Sequence, residues 1–333
     1  MSLIPPMSWS SMTTYLVLGA SGFLGSHVHQ AIKRSSDSPA LVAVSRRPPR
    51  IALPVNSSWV PLDLNRATVE ELVILIEASR PDALINCAGL TSGSAEQMWE
   101  TNTTFVDKLI QALRQCGPRP LVHFGSSEEY GPQSSQVPIK ETATEHPVND
   151  YGRSKLAATR KITHATEQGD ICATVLRIFS PIGSGVPPES LAGQAVQELN
   201  QALKKKNSSI TLSYLQTVRD FVAATDVARA ALGATQLLGR APIINVGLGK
   251  AMSNRSMVEL VAQAAGFEGE IVEEVDDAYV EEVTWQQADV SRMGHEIGWI
   301  PQTTVAQAAE ELWKGDSEAT TTAGGIADQL SSW

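Results

Sequence analysis

The sequence predicts an α/β protein: a doubly wound parallel sheet with a smaller lobe drawn mostly from the C-terminal half. Three observations carry that expectation. Apolar strand-like runs alternate with helical stretches through the first half of the chain. A glycine-spaced turn joins the first strand to the first helix. The regular alternation then breaks down after Ile178. Such alternation sets parallel strands side by side and covers both faces of the sheet with helices.

Tyr15–Leu18 reads as the first buried strand. Gly19-Ala20-Ser21-Gly22-Phe23-Leu24-Gly25 follows and opens a helix from Phe23 to about Lys33. Glycines there permit a tight turn and close approach of backbone to phosphate. The free N–H groups of the helix start then hold a pyrophosphate, which makes this a Rossmann-type dinucleotide site. The second strand, Leu41–Val44, ends on Ser45-Arg46-Arg47. An NAD site places an Asp or Glu at that point to bind the ribose hydroxyls. Two guanidiniums and no carboxylate suit a 2′-phosphate instead, so NADP(H) is expected over NAD(H).

Further strands read at Trp59–Pro61, Ala83–Asn86, Leu121–Phe124 and Thr174–Arg177, and further helices at Val69–Ala78, Ala95–Cys116 and Tyr151–Glu167. Ligands should gather at the carboxyl ends of these strands. Beyond Ile178, Phe179–Glu189 is rich in Gly, Pro and Ser. Helices follow at Leu191 to about Lys204, within Val218–Ala234, at Ser253–Ala265 and at Thr304–Trp313, with a strand at Ile243–Val246. The domain boundaries expected are a loose extension at 1–12, an NADP-binding domain at 13–178 with returns at about 218–248, a substrate lobe from 179–217 and 249–314, and a flexible tail at 315–333.

Tyr151-Gly152-Arg153-Ser154-Lys155 is the stretch richest in chemistry. A tyrosine and a lysine four apart share one helix face, so the ammonium can sit beside the phenol. A free phenol has a pKa of about 10, and a neighbouring positive charge brings it towards the working range. Ser126 and Ser127 stand upstream at the end of a strand, where a hydroxyl can orient a carbonyl.

Composition excludes several function classes. With 333 residues, 42% of them hydrophobic, the chain can bury a large core. A net charge of −10 argues against a nucleic-acid surface. The three cysteines, Cys87, Cys116 and Cys172, form neither a disulfide framework nor a zinc pattern, which fits a reducing cytoplasm. The histidines are scattered, so no metal is assigned. No run approaches the roughly 18 apolar residues of a membrane span, and the first dozen residues do not read as a signal peptide.

The constellation resembles the extended short-chain dehydrogenase/reductases, in the branch acting on nucleotide-activated sugars. The resemblance rests on the glycine turn, Asp63-Leu64, Asn86-Cys87-Ala88-Gly89, Phe124-Gly125-Ser126-Ser127-Glu128-Glu129-Tyr130-Gly131, the Tyr151/Lys155 pair, Arg219-Asp220-Phe221, Asn245-Val246-Gly247 and Ile297-Gly298-Trp299. The Gly-Ser-Ser-Glu-Glu-Tyr-Gly segment looks most like the GDP-4-keto-6-deoxyhexose reductases. The resemblance implies that Asp63 and Leu64 lie beside adenine and that Cys87, Ala88 and Gly89 wall the cofactor. It also makes Ser126 the catalytic hydroxyl, with Tyr151 as proton donor and Lys155 as its partner on the nicotinamide ribose. Ser127, Ser180 and Arg219 are implied on the substrate side, Arg219 against a diphosphate. Ser180 departs from the asparagine usual there. The resemblance also implies a homodimer, paired through the helix after Glu96 and the Tyr151 helix.

Glu128 separates the possible reactions. A dehydratase needs an additional acid/base, which a carboxylate just after the catalytic hydroxyl can supply; a reductase needs none. The reading is a nucleotide-sugar 4-ketoreductase using NADPH. The alternatives are a redox-neutral 4-epimerase or 4,6-dehydratase that retains its cofactor, and, more remotely, a non-catalytic NADP(H)-binding protein.

Overall fold

Alternation within each strand explains why the sheet is covered on both faces. In the computed structural model, which describes residues 13–133, 135–274 and 284–315, β1 (Thr14–Leu18) sends Leu16 and Leu18 to one apolar cluster and Val17 to another. The same division runs through β2 (Ala40–Ser45) and, after β3 (Ser58–Pro61), through β4 (Ala83–Asn86), β5 (Pro120–Ser126) and β6 (Cys172–Ile178). A strand buried on both faces reads as a near-continuous apolar run, and these do.

The helices follow from the chain between the strands. α1 (Phe23–Arg34) buries Val28 and Ile32 against one face of the sheet. On the opposite face lie α2 (Val69–Ser79), α4 (Phe105–Cys116) and α5 (Asp150–Glu167), which bury Leu72, Phe105, Leu109 and Ile162 among others. The short α3 (Ala95–Trp99) runs into α4. Thr68 and Glu71 form a reciprocal capping box on α2, as do Ser94 and Gln97 on α3.

Seven parallel strands complete the main sheet in the order β11-β6-β5-β4-β1-β2-β3, where β11 is Ile243–Val246. Strand order reverses between β1 and β4, the topological switch point where a crevice opens. Six of these strands are those the alternating pattern predicts, and the seventh is the strand expected at Ile243–Val246.

A third cluster builds a separate apolar centre. It draws on α6 (Leu191–Lys205), α8 (Asn254–Ala265) and the last helix, residues 305–315, with strand residues Ile182 and Ile210 and the neighbouring Phe221. Three two-stranded ribbons edge this lobe; their strands are β7 (Pro181–Ile182) with β10 (Val222–Ala223), β8 (Ser209–Ser213) with β13 (Glu270–Glu274), and β9 (Val218–Asp220) with β12 (Ala251–Ser253). α7 (Ala224–Ala234) returns to pack beside α1.

Two departures from the sequence expectations have physical causes. The helix expected over Ala95–Cys116 carries a π turn at Glu100–Thr104. Side chains facing inward there, Asn102 and Thr103, bond neighbouring segments rather than the helix itself. A short helix, α9 (Ser291–Ile297), also lies where none was expected; it packs beside β11, with Met293 and the following Trp299 buried in the α1-side cluster. The expected extension at 1–12 and all but the first residue of the tail at 315–333 lie outside the described residues. Among the described residues no helix is long and apolar enough to cross a membrane.

Candidate active site

The crevice at the switch point begins with the glycine turn. Gly19 has φ of 78°, and a Cβ there would stand 2.8 Å from Ala88 N. Only glycine meets both conditions. A Cβ on Gly25 would lie 2.1 Å from Gly19 O, so the third glycine lets α1 start directly against the turn. Gly22 is the N-cap and supplies no side-chain hydrogen bond. The first N–H groups of α1 are therefore left to an anion.

From this turn a cleft of about 600 Å³ runs along the strand ends. It is lined by Gly19, Ser21, Gly22, Ser45, Arg46, Arg47, Asp63, Leu64, Cys87, Ala88 and Gly89, all of which the sequence assigned to cofactor. The Ser45 hydroxyl donates to Arg47 O at 2.7 Å and shapes the turn that carries the arginines. Arg46 and Arg47 are exposed, and neither side chain has a protein partner among the described residues. Two unpaired guanidiniums at a cleft rim, with an uncapped helix start at its floor, fit a phosphorylated dinucleotide. Asp63 accepts from Asn65 N at 3.2 Å, and Leu64 is buried. Asn86, under the floor, accepts from Ala88 N at 3.1 Å and bonds His123 Nδ1 at 3.0 Å, which fixes the wall at Ala88.

A second cleft of about 470 Å³ shares Gly22, Cys87, Ala88 and Gly89 with the first, so the two form one bent groove. Phe23, Leu24, Ser126, Ser127, Glu128, Tyr151, Lys155 and Ser180 line this arm. β5 delivers Ser126 at its carboxyl end, and a 3-10 turn over Ser127–Glu129 follows at once. Ser126 Oγ accepts from Glu128 N at 3.2 Å, and the Ser126 hydroxyl lies beside the Tyr151 phenol in the same arm. α5 brings Tyr151 there because Asn149 caps it, its Oδ1 accepting from Gly152 N at 2.7 Å.

Electrostatics set the protonation of this pair. Burial pushes the Tyr151 phenol up to about 12; the Ser126 hydroxyl opposes that rise, and the Glu128 and Glu129 carboxylates add to it. Lys155 is held down to about 8 by burial, against the pull of Glu129 and Cys87. The expected lowering of the phenol by the ammonium is not among these influences. Lys155 Nζ instead donates to Phe124 O, on the strand side of the helix face it shares with Tyr151. Burial also pushes the Cys87 thiol up, so it lines the junction as a neutral group.

The residues assigned to substrate divide. Ser180 lines the second arm beside Pro181 and Val186. Ser127 lines it as well, but its hydroxyl donates to Gln286 Oε1 at 2.9 Å while Gln286 Nε2 donates to Ser127 O at 3.1 Å. Arg219 is buried on β9, donates to Val218 O at 3.1 Å and stands outside the lining of either arm. Glu128 Oε2 accepts from Asn149 Nδ2 at 3.1 Å.

Sequence reasoning missed Asn102. From the π turn its amide bonds Leu90 N and O and Ser154 Oγ at 2.8–2.9 Å, tying the loop after β4 to α5. A polar residue at a core-facing position of α3–α4 was the available signal. It also missed Ser92 and Glu189, joined at 3.0 Å between the loop after β4 and the loop before α6.

The chain matches the model of the NAD dependent epimerase/dehydratase family over residues 15–247. It is 34% identical to a dTDP-6-deoxy-L-talose 4-dehydrogenase (NAD(P)(+)) of Kitasatospora kifunensis, over 91% of this chain and 95% of the relative. A UDP-glucose 4-epimerase of Streptomyces lividans is 27% identical over 91% of this chain and 96% of that relative. The structure of RMD from Pseudomonas aeruginosa complexed with NADPH shares the fold, with a TM-score of 0.75 and 24% identity over 91% of this chain and 98% of that one.

Proposed function

As the chain belongs to the NAD-dependent epimerase/dehydratase family of extended short-chain dehydrogenase/reductases, we propose that it is an NADPH-dependent reductase of a nucleotide-activated 4-keto-6-deoxyhexose. The observation that carries this reading is the Tyr151 phenol, held protonated by burial beside Ser126 at the elbow of the groove. Ketone reduction requires a proton donor at that point.

The first arm would hold the dinucleotide through the α1 start, Arg46 and Arg47, with Asp63, Leu64 and the Cys87–Gly89 segment as walls. The bound nicotinamide supplies a hydride. Ser126 orients the sugar carbonyl, and Tyr151 gives its proton to the oxygen as the carbonyl carbon gains hydrogen; solvent then reprotonates the phenolate. Lys155, anchored on Phe124 O, presents its remaining protons to the elbow. Ser127 and Ser180, which line the second arm, are assigned to the sugar nucleotide, and Arg219 to its diphosphate. The Kitasatospora relative supports C4 as the reacting carbon, since its name specifies 4-dehydrogenation of a dTDP-linked 6-deoxy sugar. A homodimer through α3, α4 and α5 belongs to the same reading, supported by the half-exposed Trp99 on α3.

A second reading, 4-epimerase, is favoured by the likeness to the Streptomyces lividans enzyme. One assay separates the two: near-ultraviolet nicotinamide absorbance with NADPH or NADH and a panel of nucleotide-linked 4-keto-6-deoxy sugars. Stoichiometric oxidation of NADPH that disappears in Tyr151→Phe supports the reductase. Conversion of sugar without net absorbance change returns the hydride and makes the enzyme an epimerase or dehydratase.

A further inference from the structure

Glu129 has no solvent exposure, and both of its oxygens are engaged. Oε1 accepts from Ser126 N at 2.8 Å, and Oε2 accepts from Arg177 Nε at 2.7 Å. Arg177 is also fully buried, on β6 opposite Gly125 of β5. A Cβ at Gly125 would stand 2.6 Å from Glu129 Oε1, so the strand forgoes a side chain where the carboxylate enters. The Arg177 guanidinium lies 4.5 Å from the centroid of the Tyr130 ring and pairs with Glu145, which Arg160 of α5 also bonds.

Buried ion pairs contribute little net stability, since desolvation offsets their attraction. This one sits against the reacting residues. We propose that Glu129 is a positioning residue: it fixes the backbone at Ser126 and holds a carboxylate, backed by Arg177, beside Tyr151 and Lys155, where it favours their phenol and ammonium forms. That is the acid form used in ketone reduction, whereas an epimerase must first use the phenolate as base. The inference rests on the reading of Tyr151 as proton donor.

The charged neighbours agree in sign. Tyr151 faces Glu128 and Glu129 from the turn after β5, with Lys155 on its own helix; both carboxylates disfavour phenolate. Lys155 faces Glu129 and Cys87, and Glu129 favours its protonated form. Arg177 is balanced by Glu129, Glu145 and the Tyr130 ring, while Glu141 faces Tyr130.

The test is titration of the Tyr151 phenol in the ligand-free protein, read as phenolate difference absorbance against Tyr151→Phe. Glu129→Gln should bring phenolate in at a pH lower by about one unit, and Glu129→Asp, which keeps the charge on a shorter arm, should restore the original titration. The double variant Glu129→Gln/Arg177→Met leaves no buried charge unpaired by Glu129; it should titrate like Glu129→Gln and decides the matter if the single variant does not fold. A titration unmoved by loss of the carboxylate overturns the proposal. No sugar enters this experiment, so a failed reductase assay and a failed Glu129 role give different results.

Discussion

Glu128 and Asn149 are joined side chain to side chain at 3.1 Å, and this bond ties the turn that follows Ser126 to the N-cap of the helix that carries Tyr151. The two halves of the acid pair thus arrive from segments 21 residues apart in sequence, and this side-chain bond, with Gly152 packed on Glu128 O, holds them in register.

Glu128→Gln keeps a side chain that can accept from Asn149. For a reductase, turnover should stay within about fivefold of the unchanged protein; for a dehydratase, loss of a general acid/base should cost on the order of 10²–10⁴. Steady-state rates of NADPH oxidation and of water loss from a sugar nucleotide distinguish these. Asn149→Ala removes the cap and should destabilise the fold by about 0.5–2 kcal/mol, measured by urea unfolding.

Arg46→Ala and Arg47→Ala should weaken NADPH binding about 10- to 100-fold each where the guanidinium bonds the 2′-phosphate. Binding of NADH should change little. Fluorescence titration with both nucleotides checks this, and equal weakening of the two would remove the basis for NADP(H) preference.

Lys155 provides a pH prediction. Its folded pKa, held down to about 8, lies below the ordinary 10.5. The folded protein therefore binds fewer protons than the unfolded chain between these values, and this group makes stability rise as pH increases through that window. Lys155→Met should be the more stable protein at neutral pH, and its advantage should shrink as pH increases from 8 towards 10. Urea midpoints across that range give the answer. The same variant should lose most of its turnover.

A Cβ at Gly152 would stand 2.6 Å from Glu128 O. Gly152→Ala must therefore push the start of α5 away from the serine turn, at a cost of about 1–3 kcal/mol. Turnover should drop on the order of tenfold with NADPH affinity unchanged, since no atom of the first arm moves. Parallel measurement of kcat and of the NADPH dissociation constant separates the two effects.

Asp220 holds three backbone N–H groups, those of Leu248, Gly249 and Ala288, at 2.7–3.0 Å. Asp220→Asn turns one acceptor into a donor facing them. A loss of about 2–4 kcal/mol is expected, seen as a lower Tm, with the main sheet retaining its cofactor affinity.

What the sequence revealed were features with short-range signatures. The seven sheet strands, the glycine turn and the adjacent Arg46 and Arg47 need only a few neighbouring residues, and the turn and the two arginines line one groove. Long-range partners were not legible. Gln286 bonds Ser127 from 159 positions away, so no local pattern shows that the Ser127 hydroxyl is already engaged. Spacing put Tyr151 and Lys155 on one face, but not the carbonyl of Phe124 that turns the ammonium towards the strand. Arg219 was placed by its Arg-Asp-Phe neighbours, whereas its direction depends on the ribbon of β9 with β12. Nothing local marks Glu129 as buried, because its partner Arg177 lies 48 positions away in a strand that reads as apolar.

The π turn at Glu100–Thr104 amounts to one residue more than a regular helix needs. Deleting Glu100 or Thr101 would yield a better-formed α-helix and would swing Asn102 by about 100° away from Leu90 and Ser154. Local regularity and a working groove are therefore opposed at this point in the chain. Selection for stability alone would favour the shorter helix, and the surplus residue persists only while the loop after β4 has something to hold.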